Sequence, residues 1–275
     1  MDSINQIHLG YFSPTLNGAK IGQAIADGLS SCLDVPIAVD DWQTPADRVR
    51  KRTYSARDLC VFVMPVYAGR LPNLLLPFVK SLRGNETPAV AVVSYGNRNY
   101  DDGLSELSGL LTEQGFIVFG GAAFPAEHSF STILAKGRPD AADLAAAEKF
   151  GQKLGVYILS AEAGQLDSVE VPGNWPPGPY FRPQAPDGRP INILKIKPEV
   201  NDDCIKCGLC ARVCPTQAID PADVSHVPGK CMSCCACIKR CPVGARAFVD
   251  EDFWIHVHDL EERFSEQKEI EFFAP

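Results

Sequence analysis

Residues 204–215 read Cys204-Ile205-Lys206-Cys207-Gly208-Leu209-Cys210-Ala211-Arg212-Val213-Cys214-Pro215, and residues 231–242 read Cys231-Met232-Ser233-Cys234-Cys235-Ala236-Cys237-Ile238-Lys239-Arg240-Cys241-Pro242. Each stretch carries the same C-x2-C-x2-C-x3-C-P spacing. Three thiolates two residues apart can wrap one corner of a cubane cluster within a single tight loop. The fourth must come from elsewhere, because the loop turns into a helix behind the third. The proline then ends the run. In bacterial iron–sulfur runs the fourth cysteine ligates the other cluster. The spacing therefore predicts one [4Fe-4S] cluster on Cys204, Cys207, Cys210 and Cys241, and a second on Cys231, Cys234, Cys237 and Cys214. Zinc also uses C-x2-C pairs, but it takes four ligands, usually from two separated pairs, and gains nothing from two interlocked triplets.

Nine of the eleven cysteines fall in this stretch, and only Cys32 and Cys60 lie outside. Cysteines committed to clusters imply a reducing compartment rather than a disulfide framework. The opening Met1-Asp2-Ser3-Ile4 shows no basic region followed by an apolar run, and no stretch is apolar enough to span a bilayer. The expectation is a cytoplasmic protein. A formal charge of −8, made more negative by two clusters, argues against nucleic acid and for redox partner proteins. The 45% apolar and 22% charged content is that of a globular chain, long enough at 275 residues for two domains.

Ahead of the cysteines, short apolar runs alternate with helical periodicity. Ile7 to Phe12, Val35 to Val39, Asp58 to Met64, Ala89 to Val93 and Phe116 to Phe124 read as strands. Ala19 to Leu29, Asn73 to Leu82, Leu104 to Gln114 and Asp140 to Leu159 read as helices, the last capped near Asp140. Such alternation predicts an α/β, flavodoxin-like, five-stranded doubly wound parallel sheet over residues 1–164. Residues 165–190 begin a proline-rich stretch whose Trp175, Tyr180 and Phe181 mark a packed linker rather than a free tether. Residues 191–250 are expected to form a small α+β two-[4Fe-4S] domain with edge strands at Ile191 to Ile196 and Ala247 to Val249. Residues 251–275 form an acidic, aromatic tail, expected as a terminal helix on the body.

A doubly wound sheet binds its ligand at the topological switch point, which selects the loops after strands one, three and four. The first, Ser13 to Gly18, offers hydroxyls and amides at a helix N-terminus, a phosphate site needing no cationic side chain. Flavodoxins place Ser/Thr-x-Thr-Gly-x-Thr there. Ser13 and Thr15 match; Leu16 stands where glycine is expected and Gly18 where a hydroxyl is expected, with Asn17 as a substitute polar group. The second loop supplies Pro65, Val66, Tyr67 and Gly69, and the third supplies Ser94, Tyr95, Gly96, Asn97 and Tyr100. Tyr67 and Tyr100 (or Tyr95) are candidate walls for a flat isoalloxazine, with amides around Gly96 and Asn97 at its polar edge. These residues together form the candidate FMN site.

The chain resembles fusions of an N-terminal flavodoxin-like domain to a C-terminal two-cluster ferredoxin. The resemblance is carried by the cysteine runs with Ala218-Ile219, by Pro65-Val66-Tyr67, by residues 95–102, and by Glu127-His128-Ser129 and Gly137-Arg138-Pro139-Asp140. It implies an electron-transfer protein passing electrons between the two clusters and FMN, with a ferredoxin-type donor or acceptor. Two other readings stay open: an FMN-dependent oxidoreductase reducing a quinone or another flavin, and a redox sensor acting through the tail. His128 is read as a hydrogen-bonded surface histidine rather than a proton donor. Cys235, out of register with its triplet, is read as a small buried residue, and Cys32 and Cys60 as core.

Overall fold

The computed structural model describes residues 4–161 and 166–275. Met1, Asp2 and Ser3, and the expected boundary between residues 164 and 165, lie outside them. Six strands form the main sheet. In chain order its elements are β1 (Gln6–Tyr11), α1 (Asn17–Leu33), β2 (Ile37–Asp41), β3 (Asp58–Pro65), α2 (Leu76–Val79), β4 (Thr87–Tyr95), α3 (Gly103–Glu113), β5 (Phe116–Pro125) and α4 (Ala141–Ser160). After them come a 3-10 turn (Ile193–Lys195), β6 (Glu199–Val200), α5 (Leu209–Arg212), α6 (Ala236–Lys239), β7 (Arg246–Ala247), α7 (Glu251–Arg263) and β8 (Glu271–Phe273). The sheet order is β2-β1-β3-β4-β5-β8. The first five strands run parallel in the 2-1-3-4-5 order of flavodoxin-like sheets, and β8 joins the far edge antiparallel. Every residue of β4 is buried, as a central parallel strand covered on both faces requires.

One face of the sheet packs Ile7, Leu9, Val61, Val90 and Phe119 beneath α1 and α4. These two helices cross so closely that a Cβ on Gly28 would lie 2.0 Å from Glu148 O, and one on Gly151 would lie 2.1 Å from Ile25 O. No other residue fits at either position. At the start of α4, Asp143 N donates to Asp140 Oδ1 and Asp140 N to Asp143 Oδ2, both at 2.9 Å. That capping box explains the helix start legible at Asp140. The other face carries Phe62, Phe78, Phe116, Leu104 and Leu107. No helix among the described residues is long and apolar enough to cross a membrane.

Four local expectations are corrected. The helix read over Asn73 to Leu82 contracts to α2, with Pro77 in its first turn; a residue without an N–H fits only there. The second strand shifts from Val35–Val39 to Ile37–Asp41. Ile191 to Ile196 does not form a strand, because Lys195 N turns back to Asn192 O and closes a 3-10 turn. The edge pair instead joins Glu199 to Ala247 and Val200 to Arg246. Finally, the tail is more than a helix. Asp250 Oδ1 caps α7 by accepting from Phe253 N at 3.1 Å, and beyond it β8 becomes the sixth strand, with Phe272 packed on Phe124 and Phe150.

The proline-rich stretch lies on the body. Tyr180 donates its hydroxyl to Leu71 O at 2.8 Å, and Phe181 N donates to Ala68 O at 2.9 Å. The carboxylate of Asp102 accepts from Asn174 N and Gly178 N, each at 2.8 Å. A segment that prolines bar from helix and sheet thus satisfies its polar groups against the loops after β3 and β4.

Candidate functional site

The two cysteine loops have the same backbone. Lys206 and Gly208 take φ of 53° and 72°, and Ser233 and Cys235, at the matching places, take 55° and 60°. Each loop then enters a one-turn helix, α5 or α6. Cys235 therefore occupies the place of Gly208. It is buried against Phe248, Phe253 and Val257, as the reading of a small buried residue expects.

Cys214, Cys231, Cys234, Cys235 and Cys237 line one mostly enclosed cavity, completed by residues that include Ala218, Ile219, Met232 and Phe248. The cysteine that ends the first run thus faces the triplet of the second. Backbone amides point at the sulfurs: Ala218 N lies 3.2 Å from Cys214 Sγ, Ser233 N 3.4 Å from Cys231 Sγ, and Lys206 N 3.4 Å from Cys204 Sγ. Burial pushes the Cys234 thiol far up and the Cys237 thiol to about 12. Such groups become thiolates only with a strong local cation, so metal uptake here must release protons. Among the described residues, no three His, Cys, Asp or Glu side chains close around a single metal ion. Sulfur donors around an apolar cavity, backed by N–H groups, fit an iron–sulfur cluster. The first triplet is nearer solvent: Cys207 is exposed, whereas Cys214 and Cys234 are buried.

The cysteine domain docks on the C-terminal ends of β1, β2, β3 and β5 and the loops that follow them. Arg48 Nη2 donates to Pro215 O at 2.8 Å, and Lys239 Nζ to Glu127 Oε1 at 2.7 Å. Val213, Met232, Cys234 and Ala236 share a core with Phe12, Trp42 and Met64. Tyr67, on the loop after β3, is half-buried. Burial raises its hydroxyl pKa well above the ordinary value, and the neighbouring Cys234, Cys235 and Cys231 add to the rise.

In the first loop, Ser13 Oγ accepts from Ala19 N at 3.0 Å. Leu16 is the N-cap residue of α1, with φ 68° in the left-handed region. The departure from glycine at 16 thus falls on the one residue whose backbone favours glycine. A Cβ on Gly18 would lie 3.2 Å from Val63 Cγ1, 3.3 Å from Ser94 Oγ and 3.4 Å from Ser13 Oγ. The loops after β1 and β4 therefore meet at Gly18, and the absence of a hydroxyl there has a steric reason. Thr15 and Asn17 stay half-exposed at the rim. The opening amides of a 17-residue helix have no intrahelical partner and fit a phosphate. Replacing Leu16 by glycine removes about 1–2 kcal/mol of left-handed cost and returns about 0.5–1 kcal/mol as unfolded-state entropy. We expect Leu16→Gly to unfold at slightly higher urea concentration and to bind FMN more tightly in a fluorescence titration, with Leu16→Val shifted the opposite way.

The loops after β3 and β4 are tied together. Pro65 pairs with Ser94, Val66 N donates to Ser94 O at 2.8 Å, and Asp102 N donates to Gly69 O at 3.1 Å. The third loop is occupied by the tail. Asn97 Nδ2 donates to Phe264 O and Glu266 O at 2.7 and 2.9 Å, and Tyr100 donates its hydroxyl to Glu271 Oε2 at 2.8 Å. Tyr95 and Tyr100 are buried side by side. Of the three candidate walls, only Tyr67 is left half-buried rather than buried. Gly96 packs against the ring of His128, which a Cβ would approach to 2.1 Å.

His128 is half-buried rather than on the surface, and its Nδ1 accepts from Phe130 N at 3.1 Å. Burial, helped by the charges of His256, Lys239 and Arg98, holds its pKa at about 3 against an ordinary 6.5. His256 is shifted the same way, again mainly by burial. Between pH 6.5 and 3 the unfolded chain takes up a proton that the folded His128 ring refuses, so stability falls as pH drops through that window. Phe130, which meets His128 on one side and the Phe248–Phe253 pair on the other edge-to-face, places the effect at the tail helix. His128→Gln is expected to flatten the urea-midpoint profile between pH 7 and 5.

A family model for the 4Fe-4S binding domain matches residues 199–220. No curated protein matches the chain. Among solved structures, an archaeal flavodoxin is similar at 13% identity over 55% of this chain and 97% of its own, with a TM-score of 0.40. A flavodoxin of Streptococcus pneumonia TIGR4 is similar at 17% identity over 56% of this chain and 99% of its own, also at 0.40. An oxidised flavodoxin of Bacillus cereus matches at 15% identity over 53% and 94%, at 0.40. The chain thus joins a flavodoxin-like α/β fold, fixed by its own strand order, to a 4Fe-4S binding domain.

Proposed function

We propose that this chain is an iron–sulfur flavoprotein that relays electrons between two [4Fe-4S] clusters and FMN, exchanging them with a redox partner protein in a reducing, cytoplasmic setting. In this reading residues 1–164 hold the flavin, residues 165–190 are a packed linker that fixes the distance between the two halves, residues 191–250 hold the clusters, and residues 251–275 strap the halves together. Bound FMN would supply the coupling between one-electron carriers and a two-electron step. Thr15, Asn17 and the first amides of α1 would hold its phosphate, and Pro65, Val66, Tyr67 and Gly69 would flank its ring.

One observation carries the reading. Tyr67, on a loop that the sheet topology selects for a ligand, packs against the core that Met232, Cys234 and Ala236 of the second cysteine run help to form. The two cofactor sites would share a wall. The exposure of Cys207 and burial of Cys234 give the relay a polarity: the Cys204 triplet meets the partner, and the Cys231 triplet meets the flavin. The hold of the tail on Asn97 and Tyr100 favours a relay over an enzyme with an open pocket above the ring. The test is anaerobic purification and reconstitution with iron, sulfide and FMN. About eight iron atoms and one tightly held FMN per chain are expected, with flavin reduction following cluster reduction in stopped flow. A chain that refuses FMN, or a flavin that the clusters do not reduce, sinks the relay.

A further inference from the structure

The duplicated cysteine pattern departs from itself at one buried position. Five residues after the fourth cysteine the first run has Ile219, and the second has Arg246. Ile219 is 5% exposed and Arg246 3%. A guanidinium therefore occupies the interior place that isoleucine fills in the other half. Its backbone is fixed by the pairing of Val200 with Arg246 in the β6–β7 ladder. Nη1 and Nη2 both donate to Val224 O, at 3.1 and 2.7 Å, and Nε has no hydrogen-bond partner. Val224 packs with Cys214, Ala218 and Ile219, and Cys210 and Cys237 pack against the same group. Cys210 belongs to one triplet and Cys237 to the other.

A buried cation with an unused N–H needs a reason, because desolvation disfavours it and an apolar residue of similar volume packs as well. Iron–sulfur clusters provide one. Reduction adds a negative charge to a cluster, and nearby charge and hydrogen bonds to sulfur set its potential. In a poorly polarisable interior a fixed positive charge acts strongly on both neighbours. We propose that Arg246 is a positioning and tuning residue shared by the two clusters: its Nε–H would donate to the sulfur of Cys210 or Cys237, which pack beside Val224, and its charge would raise both reduction potentials. This rests on the two-cluster reading above.

The test is a redox titration of the reconstituted full chain, followed by paramagnetic resonance, with iron counted in each sample. Arg246→Ile copies the residue of the other half and should keep the fold. At a fixed poise it is expected to lower the reduced-to-oxidised ratio of both clusters about tenfold, about 59 mV for a one-electron couple. Arg246→Lys, which keeps the charge, should lower it less. If Arg246→Ile retains about eight iron atoms and both ratios stay within about twofold, the proposal is overturned. A second measurement needs no new fold. The chain labelled with 15N-arginine should show a 15N coupling to the reduced clusters that survives Arg212→Lys. No coupling, or one that Arg212→Lys abolishes, overturns the contact. A wild-type chain that never takes up iron refutes the two-cluster reading itself, and so is told apart from a failure at Arg246.

Discussion

Cys214→Ala is expected to abolish the cluster of Cys231, Cys234 and Cys237 and to leave that of its sequence neighbours Cys204, Cys207 and Cys210 in place. Iron should fall from about eight to about four atoms per chain. The reason is spatial. Cys214 lines the cavity of the second triplet, and its sulfur accepts from Ala218 N inside the same apolar pocket. Alanine there would leave a cubane one thiolate short in a mostly enclosed, apolar site. The matched variant, Cys241→Ala, should remove the more exposed cluster and spare the buried one. The pair of variants therefore gives opposite spectra. Electron delivery to flavin should also separate them. Loss of the buried cluster cuts the path beside Tyr67, whereas loss of the exposed cluster leaves that path intact but slows exchange with an external donor. Retention of the second triplet's signal in Cys214→Ala, with loss of the first, would overturn the crossed ligation.

The cysteine repeat was legible in the sequence because it is a fixed spacing, and the fold brings Cys214, the last cysteine of the first run, to the cavity of the second triplet. The parallel sheet was legible for a related reason: β3 and β4 are continuous apolar runs, and only burial on both faces tolerates them. What escaped lies in contacts between distant segments. β8 is three residues long, too short for any alternation, and it exists only because β5 offers an open edge. Tyr95 and Tyr100 read as loop aromatics free to wall a flavin. They are buried because that strand and the strap from Phe264 to Glu271 lie over them. Ile191 to Ile196 carried strand-like residues but sits between prolines 190 and 198, which turned it. Arg246 carried a signal that alignment of the chain with itself would have exposed, since the first run has isoleucine there. Leu16 shows the converse. The sequence marked the departure, and only the backbone angle says why glycine belongs there.

The largest loss of stability is expected from a carboxylate that sequence reading passed over. Glu106, in the first turn of α3 and 2% exposed, accepts from Arg70 Nε at 2.8 Å, from Arg70 Nη2 at 2.6 Å and from Leu71 N at 2.9 Å. Arg70 in turn donates through Nη1 to Gly178 O and lies 4.7 Å from the centroid of the Tyr180 ring. One buried carboxylate thereby pins the loop that carries Tyr67 to both the helix and the linker. Glu106→Ala leaves a largely buried guanidinium without its counter-charge and Leu71 N–H without an acceptor. Breaking one partner of such a pair costs about 3–5 kcal/mol. Glu106→Gln keeps the shape and one acceptor, and should cost roughly half as much, since a charged hydrogen bond is about twice as strong as a neutral one. Removing both charges, as Arg70→Met with Glu106→Gln, should recover part of the loss, because no orphaned charge remains. Chemical denaturation of the wild type, Arg70→Met, Glu106→Gln and the double variant measures the coupling. Hydrogen exchange then locates it: amides over residues 66–72 and 174–181 should exchange faster in Glu106→Ala, while those of β4 should not. Because Tyr67 would lose its fixed place beside Cys234, FMN binding should weaken in step with the exchange, with cluster iron unchanged. A Glu106→Ala chain within about 1 kcal/mol of wild type, below the range for a broken buried pair, would show that the linker and the Tyr67 loop are held by packing alone.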